Sequence, residues 1–422
     1  MAFFDATKIN YMKFSKSFDT PNTIPAQAIS NAVEQMQHGM LYRYGHNSDE
    51  FSEVSKLEAR FGEYTGHKYV VAVNSCGSAM FIALKAMGVK PEDGVFTNAF
   101  TFTAVPSSIV HANAIPRYID CNDQYVIDLQ DFENQINKHP EVKIFILSHM
   151  RGHIAELDEI KSLCDKHAIR LIEDCAHGLG KRWNNSASPP AFVGHHCEIA
   201  CYSTQSHKLL NSGEGGFIAT NDDELAAYCI LAAGSYEGLY KKHLSRPMDD
   251  QLFEKCKFNV PNFSLRMNNL SAAILRPQVD LLDERIASYT EKYQRICTLL
   301  ANVEHIHIPE PVDNTLNIGD SLQFNLLNLD ETEAQQFISQ TANAGVQLQI
   351  FGKNNNARDF RNWQYSFSEQ PTCEQTANII SFACDLRLPM HFTLEDIELI
   401  GAIIIESMAA IASNPEKLQK FG

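Results

Sequence analysis

No run of apolar residues in this 422-residue chain reaches the roughly 18–20 needed to cross a membrane. The closest, IGAIIIESMAAIA (Ile400 to Ala412), is broken by Glu406 and reads as the buried face of a C-terminal helix. The opening MAFFDATKINYMKFSKSFD scatters charges through its apolar residues, so a signal peptide is not expected. Basic residues are in deficit: 35 Lys and Arg stand against 51 Asp and Glu, a formal net charge of -16. Such a surface repels phosphate backbones and argues against a nucleic-acid partner, while leaving room for a small anion in a local pocket. The eleven cysteines contain no Cys-x2-Cys pair and are odd in number. They read as reduced thiols of a cytoplasmic enzyme. HHCEIAC (His195 to Cys201) looks metal-like, but adjacent histidines point apart on a strand, and no metal is expected there. No GxGxxG follows the first strand, which disfavours a nicotinamide oxidoreductase. Internal repeats and low-complexity segments are lacking too.

What is present is an ordinary globular balance, 44% hydrophobic and 20% charged, enough to fill a large core. IPAQAISNAVEQMQHG and SEVSKLEARFGEYTG carry a helical apolar rhythm. From KYVVAVNS onward, short apolar strands alternate with helices: DGVFTNAFTFTAV, IPRYIDC, VKIFILSHM, IRLIEDCAH, EIACYSTQ and GGFIATND are the strands. That alternation predicts an α/β fold with a mostly parallel central sheet, ligands lying beyond the carboxyl ends of its strands. The large domain is expected over residues 1–280. A smaller α+β domain follows over 281–422, entered by a long helical region that begins at NLSAAILRPQ. GKNNNARDFRNWQYSFSEQPT within it reads as a polar and aromatic loop able to reach toward a site.

Ser78, Asp174 and Ser203 fall at expected strand ends. Asp174 closes IRLIEDCAH and Lys208 follows 34 residues later in STQSHKLLNSGEGGFIAT, one strand further on. Taken singly, Asp174 is a cap or a solvated carboxylate, and Lys208 is a solvated lysine before a hairpin. Taken together, they are what pyridoxal phosphate needs: an amine that loses its proton on desolvation, and an acidic partner for the ring nitrogen. Cys76-Gly77-Ser78, between a strand and a helix, offers N–H groups to a phosphate. Phe102 is a candidate to cover the ring.

In this order the motifs resemble the sugar aminotransferases of the DegT/StrS type, over roughly residues 20 to 410. LIEDCAHGLG followed by VGHHCEIACYSTQSHKLLNSGEGGFIATND carries the resemblance most clearly, with NSCGSAMFIALKAMGV, FTFTAV, SHMRGHIAELDEI, RMNNLSAAILRPQ and LRLPMH in support. The resemblance implies a fold-type-I enzyme dependent on pyridoxal 5'-phosphate. It implies Lys208 as the Schiff-base lysine, Asp174 as partner of the pyridine nitrogen, His177 beside the ring and Phe102 stacked on it. It further implies that Ser203 and the Cys76-Gly77-Ser78 turn bind the phosphate. Arg266 would reach the phosphate of a neighbouring subunit, in a homodimer with sites at its interface. The expected reaction carries an amino group from glutamate or glutamine to a keto-sugar or cyclitol. A sugar dehydratase and a non-catalytic cofactor-binding regulator are the alternatives. Three departures bear on the substrate: Thr204 replaces an aromatic, Ser264-Leu265-Arg266 replaces Asn-aromatic-Arg, and the polar HMRGH offers Arg151 and His153 to it. His207 precedes a retained Lys208, which favours transamination over dehydration.

Overall fold

Apolar residues on both sides of each strand bury the main sheet between two layers. In the computed structural model the chain is described over residues 12–46, 51–184, 191–243, 246–312, 315–316, 319–353 and 355–412. The first five strands are β1 (Tyr69–Val73), β2 (Gly94–Asn98), β3 (Ile115–Ile119), β4 (Ile144–Ser148) and β5 (Arg170–Asp174). The short β6 (Arg182–Trp183) and β7 (Ala191–Phe192) form a side hairpin, and β8 (Ile199–Ser203) and β9 (Gly216–Thr220) return to the sheet. Spatial order is β1-β9-β8-β5-β4-β2-β3. All neighbours run parallel except at β9, which is antiparallel to both β1 and β8. Along β5, Leu171 enters one apolar layer and Ile172 the other. Burying each such side chain contributes about 1.5–3 kcal/mol, which pins the register of a strand covered on both faces.

The expected architecture holds, with shifts at element ends. DGVFTNAFTFTAV is strand only to Asn98, because the Asn98 side chain bonds across to the Ser148 backbone (3.0 and 2.9 Å) and ends the ladder. Phe102 therefore sits in the turn before the helix Ala104–His111. The long helical region divides into Asn269–Val279, with Pro277 inside it, and Leu282–Leu300. C-terminal to these come β10 (Ile306–His307), β11 (Thr315–Leu316), β12 (Ser321–Leu326), β13 (Gln349–Ile350) and β14 (Ala383–Arg387). Of these, β10, β12, β14 and β13 make a second, antiparallel sheet, and β11 joins the side hairpin through β6. The helices Glu331–Asn343 and Leu394–Ala412 cover it. Phe14 and Phe18, from the N-terminal segment, belong to this second core, with Phe14 N–H donating to the Ala344 carbonyl at 2.9 Å. The polar and aromatic loop is tightly packed: Phe360 and Trp363 are buried, and Tyr365 hydroxyl meets Thr103 Oγ1 at 2.7 Å. It thereby ties the second sheet to the turn that carries Phe102. Among the described residues, no helix is long and apolar enough to cross a membrane.

A buried ion pair anchors the first strand. Both Arg43 Nη atoms donate to the Glu58 carboxylate at 2.9 Å, and the Ala72 N–H donates to Glu58 Oε1 at 2.7 Å. Removing one member leaves the other charge buried without its partner. Arg43→Ala is expected to cost about 3–5 kcal/mol, seen as a lower urea midpoint in tryptophan fluorescence. An unchanged midpoint would show that the pair does not hold this corner.

Candidate active site

The register of the sheet sets the site. Ser148 stands beside Asp174 across β4 and β5, Ser203 pairs with Gly216 across β8 and β9, and Gly216 pairs with Val73 on β1. These strand ends form one edge, and the helix Cys76–Ala86 begins directly behind Val73. Ser75 caps that helix, its hydroxyl accepting from the Ser78 N–H at 3.0 Å. A helix start presents N–H donors and a positive dipole end, a natural seat for an anion. Gly216 lies so close beneath it that a Cβ there would stand 2.7 Å from the Cys76 nitrogen and 2.7 Å from the Tyr202 carbonyl. The last glycine of Gly-Glu-Gly-Gly is thus required by close approach. Gly213, at φ +81°, is required by its left-handed turn.

Asp174 is buried at the end of β5. Its Oδ2 accepts from Ser148 Oγ at 2.8 Å and its Oδ1 from the Ala176 N–H at 3.1 Å. Cys76 Sγ lies 3.9 Å from Oδ1, and burial, reinforced by the Asp174 charge, pushes the thiol's pKa well up. Thr101 Oγ1 donates to Ser148 Oγ at 2.7 Å, so the turn bearing Phe102 is tied to Asp174 through Ser148. Phe102 itself is 42% exposed, open to a ligand rather than packed in the core.

Lys208 sits on the irregular loop between β8 and β9. Asn22 Nδ2 donates to its carbonyl at 3.2 Å, Arg285 donates to the Leu209 carbonyl, and Gln278 Nε2 donates to the Asn211 carbonyl at 2.7 Å. These remote side chains brace the residues around Lys208, while backbone bonds from the Thr204, Ser206 and Ser212 N–H groups to the Gly215, Gly213 and Thr204 carbonyls (3.0, 3.1 and 3.0 Å) close the base of the loop. The Lys208 amine points inward to His177 Nε2 at 2.8 Å. Burial pushes its pKa down from 10.5 to about 8, with Asp320 opposing and Arg151 assisting. Burial, then the Lys208 charge, takes the His177 imidazole down to about 3, so the ring is neutral. With Lys208 donating to Nε2, the ring proton sits on Nδ1, 3.8 Å from Asp320 Oδ2. Burial alone would raise the Asp320 carboxyl, but His177, Arg151 and Lys208 hold it well below its usual range.

Lys208, His177, Ser203 and Asp320 line one pocket, and the Asp174 charge reaches the Lys208 amine. Arg266 is elsewhere. It bridges to Val73 at the outer edge of β1, donates to the Gly234 carbonyl at 2.8 Å, and lies 5.6 Å from the Tyr42 ring centre. Thr204 is fully buried, its Oγ1 2.9 Å from Ser212 Oγ, and closes the loop rather than facing a ligand. His207 is exposed and meets Arg387 Nη2 at 2.8 Å. Of the two residues offered by HMRGH, Arg151 pairs with Asp385 of β14 and His153 Nε2 meets Gln323 Oε1 of β12 at 2.8 Å. Ser148, Thr101, Asn22 and Asp320 were not anticipated. Only Ser148 carried a usable signal, as a polar residue closing an apolar strand. His149, Glu173 and Cys175 also converge, one layer beneath the edge. There Glu173 accepts from His149 at 2.8 Å and from the Gly194 and His196 N–H groups at 2.9 and 3.0 Å, pinning the HHCEIAC turn to the sheet.

An amine with its pKa lowered to about 8 is largely neutral, and nucleophilic, only above that pH. Reductive labelling of Lys208 by a small aldehyde, read by mass spectrometry of its peptide, is expected to rise through about pH 8 and level off. Labelling that climbs only above about pH 10, as for free lysines, would refute the assignment.

The DegT/DnrJ/EryC1/StrS aminotransferase family matches residues 23–405. GDP-perosamine synthase of Caulobacter vibrioides is 30% identical over 235 residues, which are 56% of this chain and 58% of that protein. The chain thus aligns with little more than half of that relative. The 3-amino-5-hydroxybenzoate synthase of Amycolatopsis mediterranei is 27% identical over 319 residues, 74% of this chain and 76% of that protein. The X-ray structure of an aminotransferase from Psychrobacter cryohalolentis has a TM-score of 0.81 at 19% identity, covering 94% of this chain and all of that one, a likeness of fold. On the extent of the family match, the chain belongs to the DegT/DnrJ/EryC1/StrS aminotransferase family.

Proposed function

We propose that this chain is a pyridoxal phosphate-dependent aminotransferase that carries an amino group from glutamate or glutamine to a keto group on a nucleotide-linked sugar or a cyclitol. The observation that carries the reading is the desolvated Lys208 amine, with a pKa of about 8, in one pocket with His177 and Ser203 and within reach of the Asp174 charge. The residues fit the cofactor. Cys76-Gly77-Ser78 at a helix start, with Ser203 opposite, suits a phosphate. Asp174, oriented by Ser148 and the Ala176 N–H, suits a pyridinium nitrogen. When bound, the cofactor supplies an aldehyde to take the donor nitrogen and a ring to store the electron pair of the carbon that loses its proton.

Lys208 Nζ is the amine that would hold the cofactor's aldehyde carbon. When free, it would move the proton of the donor carbon, because an amine with this pKa both takes and returns a proton near neutral pH. Asp174 would keep the ring nitrogen protonated. The neutral His177 would stand beside the ring without adding a second cation, and the exposed Phe102 would cover it. The alternative of a dehydratase needs no amino donor, and a regulator needs no turnover, so donor consumption separates all three.

A second copy of the chain completes this reading. Ile29, Val33 and Met36 are exposed by 53%, 42% and 55% along one helix, with Met40, Leu41 and Tyr42 following. Exposed apolar side chains grouped on one helix suit burial against a partner. Arg266, lying against Tyr42, borders it, in keeping with a reach toward the partner's phosphate. Eleven unpaired thiols, several of them buried, support a reducing, cytoplasmic setting.

With pyridoxal phosphate, glutamate and a panel of nucleotide-linked keto-sugars and cyclitol ketones, an aminated product is expected by mass spectrometry. Lys208→Ala is expected to lower turnover by about 10²–10⁴-fold, the worth of a positioned proton-transfer group, and a variant that keeps its rate would sink the role. For the dimer, Val33→Glu with Met36→Glu should yield an inactive monomer by light scattering. An active wild-type monomer would count against shared sites.

A further inference from the structure

Although the chain carries a formal net charge of -16, three guanidinium groups gather near this site: the Arg151 charge reaches the Lys208 amine, Arg387 meets His207, and Arg358 lies over Phe102. Arg151 and Arg387 both lie within electrostatic range of Arg358, as does the Asp385 carboxylate. Asp385 is already engaged, accepting from Arg151 Nη2 and from Gln323 Nε2, the latter at 2.8 Å. Arg387 has Asp19 at 3.2 Å and His207 at 2.8 Å. Arg358 has neither. Its Nε is buried with no hydrogen-bond partner, and among the described residues no carboxylate forms an ion pair with it. The adjacent Asp359 is committed to Arg361, at 2.9 and 2.8 Å. The Nε of Arg151 is likewise buried without a partner.

The loop holds Arg358 deliberately in place. Its own N–H donates to Asn356 Oδ1 at 3.0 Å, and Trp363 Nε1 donates to the Ala357 carbonyl at 3.0 Å. Its Cζ lies 5.6 Å from the centre of the Phe102 ring. A cation over an exposed ring gains too little to offset a half-buried guanidinium within range of another. Burial, then the charge of Arg151, lowers its pKa to about 10, the mark of a cation short of its counter-charge. Planar, forked guanidinium donors match a carboxylate.

We infer that Arg358 is the anchor of a carboxylate subsite at the mouth of the pocket, reached past Phe102, and that the missing counter-charge is a carboxylate of a substrate. This rests on the aminotransferase reading and names the chemistry that its substrate must present. The carboxylate belongs either to the amino-acid donor or to an acidic acceptor, and the two sources separate by half-reaction.

The test titrates succinate, an unreactive dicarboxylate, into the full-length protein by calorimetry, for wild type, Arg358→Ala and Arg358→Lys. Wild type is expected to bind. Arg358→Ala should lose about 10- to 100-fold in affinity, the size of one charge-assisted pair, and Arg358→Lys should recover part of it. A wild type that binds no succinate, or an Arg358→Ala that binds it equally, overturns the subsite. In turnover, a KM for glutamate raised by that factor with the acceptor KM unchanged assigns the donor carboxylate. The converse assigns an acidic acceptor, and two unchanged KM values overturn the proposal. Failure of the aminotransferase reading shows separately, as a wild type that takes nitrogen from no donor, because the succinate titration needs no turnover.

Discussion

Holding one amine out of water on a loop is the constraint around which the rest of this chain is arranged. Desolvating Lys208 works against its charge, and burial outweighs the opposing pull of Asp320 to bring its pKa to about 8. A strand could hold such a side chain by its ladder, but past the Thr204–Gly215 and Ser206–Gly213 backbone bonds (3.0 and 3.1 Å) the residues around Lys208 have no strand partner. Asn22 near the N-terminus, Gln278 and Arg285 from two helices, and the Thr204–Ser212 contact do that work. The rigidity of the loop therefore rests in part on elements far away in sequence. This explains why an N-terminal segment packs with the second core: Asn22 is delivered by the same run that buries Phe14 and Phe18.

The charges around that amine form a graded series. Asp174 is held by a hydroxyl and a backbone N–H, partners that orient a carboxylate without neutralising it. His177 is kept neutral, so it can accept from Lys208 without repelling it. Asp320, from the segment leading into β12, supplies the negative charge that lets several cations share one pocket. Arg151 is turned into a left-handed conformation at φ 55°, which swings its side chain across to β14. A bulky residue pays for such backbone only when its contacts over-determine it, and the Asp385–Gln323–His153 network does so.

Much of this was legible before any coordinates. The alternation of short apolar strands with helices foretells a mostly parallel sheet, and strand-end logic brings Asp174, Ser203 and Cys76-Gly77-Ser78 to one edge. The parts that escaped have a common cause. Ser148, Thr101 and Asp320 act through register and through packing between two sheets, and no local pattern encodes which strand lies beside which. Thr204 misled for the opposite reason. Its departure from the family pattern drew attention to substrate, whereas its hydroxyl closes the loop. In Arg358 the sequence shows only a polar, aromatic stretch, and its placement depends on Trp363 packing against Tyr118 of β3 and Tyr365 meeting Thr103.

The stretch STQSHKLLNSGEGGFIAT shows how such a loop can be both closely packed and specific. Gly215 and Gly216 admit the Thr204 hydroxyl and the helix start at distances that any side chain would block. A larger residue at either position would push the helix start away from Ser203, or Lys208 away from His177. The glycines and the lysine are thus one device: the first fix how closely two backbones meet, and that closeness decides what surrounds the amine. The helix start at Cys76 and the buried Lys208 amine would drift apart if either contact relaxed, so the shape of the pocket depends as much on missing side chains as on those present.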